Sequence, residues 1–180
     1  LNPQMELPQG VVLKSFSDTI LMPRYNLGES STAGLKFKGF AKGVDFSASY
    51  VWGYDGLPLS TKNTFIPVDA TGGININSQL SFARTHIIGA DLATSIAGIG
   101  FWAEAAAFIP EKDMIMTNDL SAFYPMSPEP VTQDSLILDK TKPYIKFVVG
   151  GDYNFSDGSY LNLQYMHGFV HERGAENLND

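Results

Sequence analysis

The side chains best suited to chemistry in this sequence are charged and few. Arg84, Asp91 and Glu104 lie in neighbouring apolar runs. On one face they would form a cluster whose field selects solutes by charge. The same residues could equally make a structural ion-pair ladder. Lys36, Lys38 and Lys146 could line a basic strip that attracts anions, or simply be scattered polarity. His167 and His171, in "HGFVH", would share a helical face and there could bind a metal. On a strand they stand ~13 Å apart, too far to share one ion, so no metal site is expected. Glu111, Asp113, Asp119, Glu129, Asp134 and Asp139 crowd one segment. Their spacing matches no EF-hand loop, and Met114, Ile115, Met116, Phe123 and Tyr124 suggest that the segment packs on something. No G-x-S-x-G, H-E-x-x-H, Walker or dinucleotide fingerprint occurs. The expectation is no catalytic residue, no cofactor and no enzyme.

Composition narrows the classes further. Apolar residues at 44% argue against disorder, and charged residues at 17% fall below the roughly 25% of a soluble domain. A net charge of −7 and a pI near 4.8 argue against nucleic acid as partner. With no cysteine, disulfides, thiolate catalysis and cysteine metal sites are all removed. No run of eighteen apolar residues provides a spanning helix. The chain opens "LNPQMELPQG", without an initiator Met or a signal-like stretch. Either a signal has been removed or the chain is an internal piece of a longer protein.

The elements that must position these residues read as strands. In "VDFSASYVWGYDGLP", Phe46, Ala48, Tyr50, Trp52 and Tyr54 fall on one side, and Asp45, Ser47, Ser49, Val51 and Gly53 on the other. The Ala-rich run "ADLATSIAGIGFWAEAAAF" has helix propensity. Its glycines and its lack of a helical stripe make it a hairpin instead. Three hairpins are expected, at about 32–55, 79–109 and 143–172. Each has a short Gly-bearing turn: Ala41-Lys42-Gly43, around Ile96 to Ile99, and Ser156-Asp157-Gly158. Residues 31–172 form the hairpin segment. Residues 1–30 are read as irregular and 173–180 as a polar tail or loop. Gly56 to Ser78 and Pro110 to Lys142 are read as long connections, which hold or border most of the prolines.

Turn chemistry then dictates register. A three-residue turn with Gly158 left-handed sets Tyr153 opposite Leu161, Gly151 opposite Leu163, Val149 opposite Tyr165 and Phe147 opposite His167. Lys42-Gly43 at a tip sets Phe37 opposite Ala48, Leu35 opposite Tyr50, Lys38 opposite Ser47 and Lys36 opposite Ser49. A tip at Ala97-Gly98 sets Asp91 opposite Glu104, an unfavourable like-charge pair. Arg84 and His86 have the opposite parity to Asp91. Placing all three on the polar face requires a bulge near Ile87-Ile88.

Strand length, alternation of short turns with long connections, and aromatics near the strand ends (Trp52, Tyr54, Tyr153, Tyr165, Phe169) favour a membrane barrel. "GLKFKGFAKGVDFSASYVWGYDGLP", "GADLATSIAGIGFWAEAAAFIP" and "GGDYNFSDGSYLNLQYMHGFV" resemble strand-turn-strand units of Gram-negative outer-membrane proteins grouped with porins. The resemblance covers roughly residues 30 to 172 and is one of pattern. It implies an all-β, antiparallel, up-and-down transmembrane barrel with long extracellular loops, in the bacterial outer membrane, passing small solutes passively. About six strands fall short of the eight-strand minimum, so the chain reads as an internal fragment of such a barrel. The expected partners are the lipid bilayer and small solutes, with a homo-oligomer compatible and nucleic acid not. Lys36, Lys38, Asp45, Arg84, Asp91, Glu104, Lys146 and Asp152 are expected to line the pore. Phe37, Phe46, Tyr50, Trp52, Phe147, Tyr153, Leu163 and Tyr165 are expected to face lipid. The rival is a soluble secreted β-sandwich or barrel that binds a glycan through its long loops, with Tyr50, Trp52 and Tyr153 as core.

Overall fold

The computed structural model describes residues 11–69 and 72–168. The chain is all-β, with two sheets in two compact units. One unit draws on the chain up to Pro23, Gly56–Phe82 and Met114–Leu136. The other draws on Arg24–Asp55, Ala83–Asp113 and the chain from Ile137 onward.

The second unit holds the three expected hairpins, except that residues 79–81, read as the start of the second, belong to β5 (Gly73–Ser81) of the other sheet. The strands of this second unit are β2 (Ala33–Ala41), β3 (Val44–Tyr54), β6 (Arg84–Ile96), β7 (Ile99–Pro110), β10 (Tyr144–Asn154) and β11 (Tyr160–His167). They lie in the order β11-β10-β7-β6-β3-β2, and every pairing is antiparallel. Among the described residues no closed barrel forms; β2 and β11 are the two edges. Two turns follow from backbone sterics. Lys42 and Gly43 have φ of 51° and 82°, and Ala97 and Gly98 have 53° and 82°. Positive φ at both central residues is the two-residue turn whose twist matches the flanking strands. At the third turn Gly158 has φ 88°, and Phe155 N–H donates to the Ser159 carbonyl at 2.8 Å. The register of all three hairpins is the one the turns dictate, from Tyr153 opposite Leu161 to Phe37 opposite Ala48. Asp91 does stand opposite Glu104.

The first unit differs from its reading as irregular chain and long connections. Its sheet is built from β1 (Val12–Leu21), β4 (Leu59–Pro67), β5 (Gly73–Ser81), β8 (Met114–Asp119) and β9 (Thr132–Leu138, which runs across the boundary at Leu136), in the order β1-β5-β4-β8-β9. β1 pairs with β5, and β4 with β8, in parallel. Such pairings join segments far apart in sequence, with no turn to announce them. Ile74 and Ile76 supply the core here, at 3% and 1% exposure. Asn63 is buried beside them without loss, because all its polar atoms find partners. Its Nδ2 donates to Asn118 Oδ1 at 3.0 Å and its Oδ1 accepts from Ser60 Oγ at 2.9 Å.

A one-turn α-helix, α1 (Leu27–Ser30), precedes β2. No helix among the described residues is long and apolar enough to cross a membrane.

Candidate functional site

Residues directly opposite in a ladder share a face, so the six-stranded sheet can be sorted completely. One face carries Leu35 and Phe37, then Phe46 and Tyr50, then Ile88 and Leu92, then Phe101 and Ala105, then Phe147 and Val149, then Leu163 and Tyr165. This face contains no Asp, Glu or Lys. Its ionisable side chains other than tyrosine are Arg84, His86 and His167, all at the end away from the tight turns. The large residues are not covered. Leu35 is 77% exposed, Ile88 53% and Leu163 66%, while Trp52 and Phe147 are half-buried. Six strands paired over about nine residues make a patch ~24 Å by ~26 Å, roughly 600 Å² as a flat projection. That is the upper end of what a soluble monomer exposes.

The opposite face holds the polar candidates. Lys36, Lys38, Asp45, Asp91, Glu104, Lys146 and Asp152 all lie there, with Ser47 and Ser49 between them. Lys36 Nζ reaches past β3 to Asp91 Oδ2 at 3.1 Å, and the buried Ser47 hydroxyl donates to the same oxygen. Asp91 is therefore compensated from the β3 side. Glu104, its direct neighbour on β7, is exposed and makes no hydrogen bond or ion pair with the described residues. Lys146 does not turn to it. Its ammonium lies over the rings of Phe108, at 4.8 Å, and Tyr144, at 5.6 Å. Trp102 lies across Gly150, where a Cβ would sit 2.4 Å from the indole. Only glycine admits that close approach.

Arg84 does not join this cluster. The ladder from Thr85 to Ile96 runs without a bulge, and Arg84 and Asp91, seven residues apart, point to opposite faces. Lys36 removes the need for the bulge by reaching Asp91 instead. Arg84 sits on the aromatic face, its guanidinium 3.8 Å over the Trp52 ring and 4.7 Å over that of Tyr54. His86 is there too. Its Nδ1 lies 2.8 Å from the Tyr50 hydroxyl and its Nε2 3.5 Å from Glu111 Oε1. Glu111 also accepts from the Trp52 indole N–H. This polar rim was hidden in the sequence by the assumption that every charge belongs to the polar face. The odd spacing of Arg84 and Asp91 was the available signal.

The acidic segment does not gather. Among the described residues no group of three or more His, Asp or Glu side chains could hold a metal ion. Asp134 accepts from Thr117 Oγ1 at 2.7 Å, and Asp113 pairs with Lys140 at 3.9 Å. The Ser121 hydroxyl and N–H, with Lys62 at 3.3 Å, hold the Asp119 carboxyl below its ordinary range. The Thr141 hydroxyl and N–H do the same for Asp139. His167 stacks on Phe147 at 4.9 Å between centroids. His171 and Phe169 lie outside the described residues.

No family model, no curated protein and no solved structure matches this chain.

Proposed function

We propose that the six-stranded sheet is part of the wall of an outer-membrane β-barrel, and that its polar face lines a passage for small solutes. One observation carries the reading: an exposed apolar face, free of Asp, Glu and Lys across six adjacent strands, backed by a face that carries all the Asp, Glu and Lys of these strands among small, hydroxylated and some large apolar residues such as Ile87, Trp102 and Phe108. Hydrocarbon tolerates the first and water the second. The strands, most of 9 to 13 residues, suit the ~9–11 residues that cross a bilayer at a tilt. Trp52, Tyr54, Arg84 and His86 at one end have the mixed aromatic and polar character of a membrane interface. The pattern resemblance to porin-like proteins points the same way. In this role the chain is a passive conduit, and Lys36, Lys38, Asp45, Asp91, Glu104, Lys146 and Asp152 set what the conduit admits.

The glycan-binding sandwich would need its aromatic face as core. Tyr50 at 42% and Tyr153 at 37% exposure do not favour it.

Reconstitution tests the proposal. The detergent-purified protein, added to a planar lipid bilayer, is expected to give discrete conductance steps. A monomer that stays in solution without detergent, and leaves the bilayer silent, would overturn the channel.

A further inference from the structure

The turn before β2 combines two properties that rarely occur together. Its side chains project freely: Tyr25 is 104% and Leu27 90% exposed, and the Arg24 guanidinium has no partner among the described residues. Most of its carbonyls, by contrast, accept from protein groups. The Asn26 carbonyl accepts from Ser30 N–H at 2.9 Å and from Ser30 Oγ at 2.6 Å. The Leu27 carbonyl accepts from the Ser31 hydroxyl. The carbonyls of Gly28, Glu29 and Ser31 accept from the Arg84 guanidinium at 3.1, 2.9 and 3.0 Å. Glu29 accepts from the Tyr54 hydroxyl as well, at 2.6 Å.

A one-turn helix in water leaves its last carbonyls to solvent. Here side chains satisfy them, chiefly an arginine stacked on the aromatic end of the apolar face. Paired carbonyls with apolar side chains outward are what backbone requires where water is scarce. The turn is also tied to the end of the apolar face, since Arg84 and Tyr54 of that face bond to it. An unpaired cation beside an aromatic and an aliphatic side chain matches the chemistry of anionic phosphate lying over acyl chains.

We infer that residues 24–31 are a membrane-interface anchor. Tyr25 and Leu27 enter the boundary between headgroups and acyl chains, and Arg24 meets lipid phosphate. The inference rests on the barrel-wall reading above. Arg84 is a positioning residue in it, fixing the turn to the end of the wall.

The chain has no cysteine, so single reporters can be placed cleanly. Tyr25→Cys, Leu27→Cys and Leu163→Cys, each labelled with a nitrobenzoxadiazole dye, are reconstituted in phosphatidylglycerol-containing vesicles. Lipids with a nitroxide near the headgroup or deep in the acyl chain serve as quenchers. The dyes at 25 and 27 are expected to be quenched several-fold more by the shallow nitroxide, and the dye at 163 by the deep one. If 163 is quenched while 25 and 27 are not, the anchor is wrong and the wall stands. Dyes at 25 and 27 that are shielded from water yet unquenched would place a second copy of the chain there, which also overturns the anchor. If no position is quenched, the wall reading fails and takes the anchor with it.

Discussion

Asp91 and Glu104 face each other across β6 and β7, and Lys36 neutralises only the first of them. Like charges directly opposed on a ladder destabilise it. Lys36 Nζ and the Ser47 hydroxyl make the arrangement tolerable by drawing Asp91 toward β3. The Lys36 and Asp91 side chains are 48% and 40% exposed, so solvent screening keeps the pair weak. Lys36→Met should therefore lower stability only slightly. Adding Glu104→Gln should recover most of that loss, because the repulsion Lys36 opposed is then gone. Urea unfolding in lipid vesicles measures both. No recovery in the double variant would mean that the opposed charges carry no penalty.

The two faces of β3 should respond very differently to one charge. Phe46→Arg should cost ~2–4 kcal/mol if its level is near the bilayer midplane. Ser49→Arg, three residues along and on the polar face, should change stability by less than about 1 kcal/mol. Equal losses for the two variants would contradict the assigned facing.

Gly150 should not accept a side chain. A Cβ there would lie 2.4 Å from Trp102 Cζ2 and 2.9 Å from the Leu163 carbonyl oxygen. Gly150→Ala should cost about 1–3 kcal/mol through overpacking. Trp102→Ala in the same chain should relieve only part of the cost, since the carbonyl is backbone and cannot swing away. Full rescue, read from thermal unfolding, would show that the indole alone was in the way.

The β10–β11 turn should weaken in acid. The Ser159 N–H, 2.9 Å from Asp157 Oδ1, and the Ser159 hydroxyl hold the Asp157 carboxyl below its ordinary value. A lowered folded pKa means that the stabilisation is complete above the unfolded value, about 3.9. It fades as pH falls from there toward the lowered folded value. Asp157→Asn keeps an acceptor but does not titrate, so its hairpin stability should be flat where the parent's declines. Hydrogen exchange at Phe155 and Ser159 between pH 5 and 2.5, corrected for intrinsic rates, follows this directly.

The hairpins were legible because two independent signals coincide in them. A tight turn such as Lys42-Gly43 fixes which residues oppose, and alternation from Val44 to Tyr54 then assigns the faces. Where one signal is missing, so is the element. The alternation "ININSQL" in Gly73–Ser81 is as regular as that in β3, but it straddled the end of a segment read as a connection and the start of a hairpin strand. Its neighbour β1 is parallel and some sixty residues away, so no turn points to it. At the charged cluster the opposed Asp91 and Glu104 were legible from register alone. The reach of Lys36 across a strand was not, because a long flexible side chain has many rotamers and sequence does not choose among them.

Counting strand directions around the six-stranded sheet yields a rule of assembly. Every neighbouring pair is antiparallel, so the two rims, β2 and β11, run in opposite senses. Whatever polypeptide bridges them while preserving that alternation must contribute an even number of passes. A closed barrel of the kind proposed, built on these strands with that alternation kept, would therefore have an even strand number.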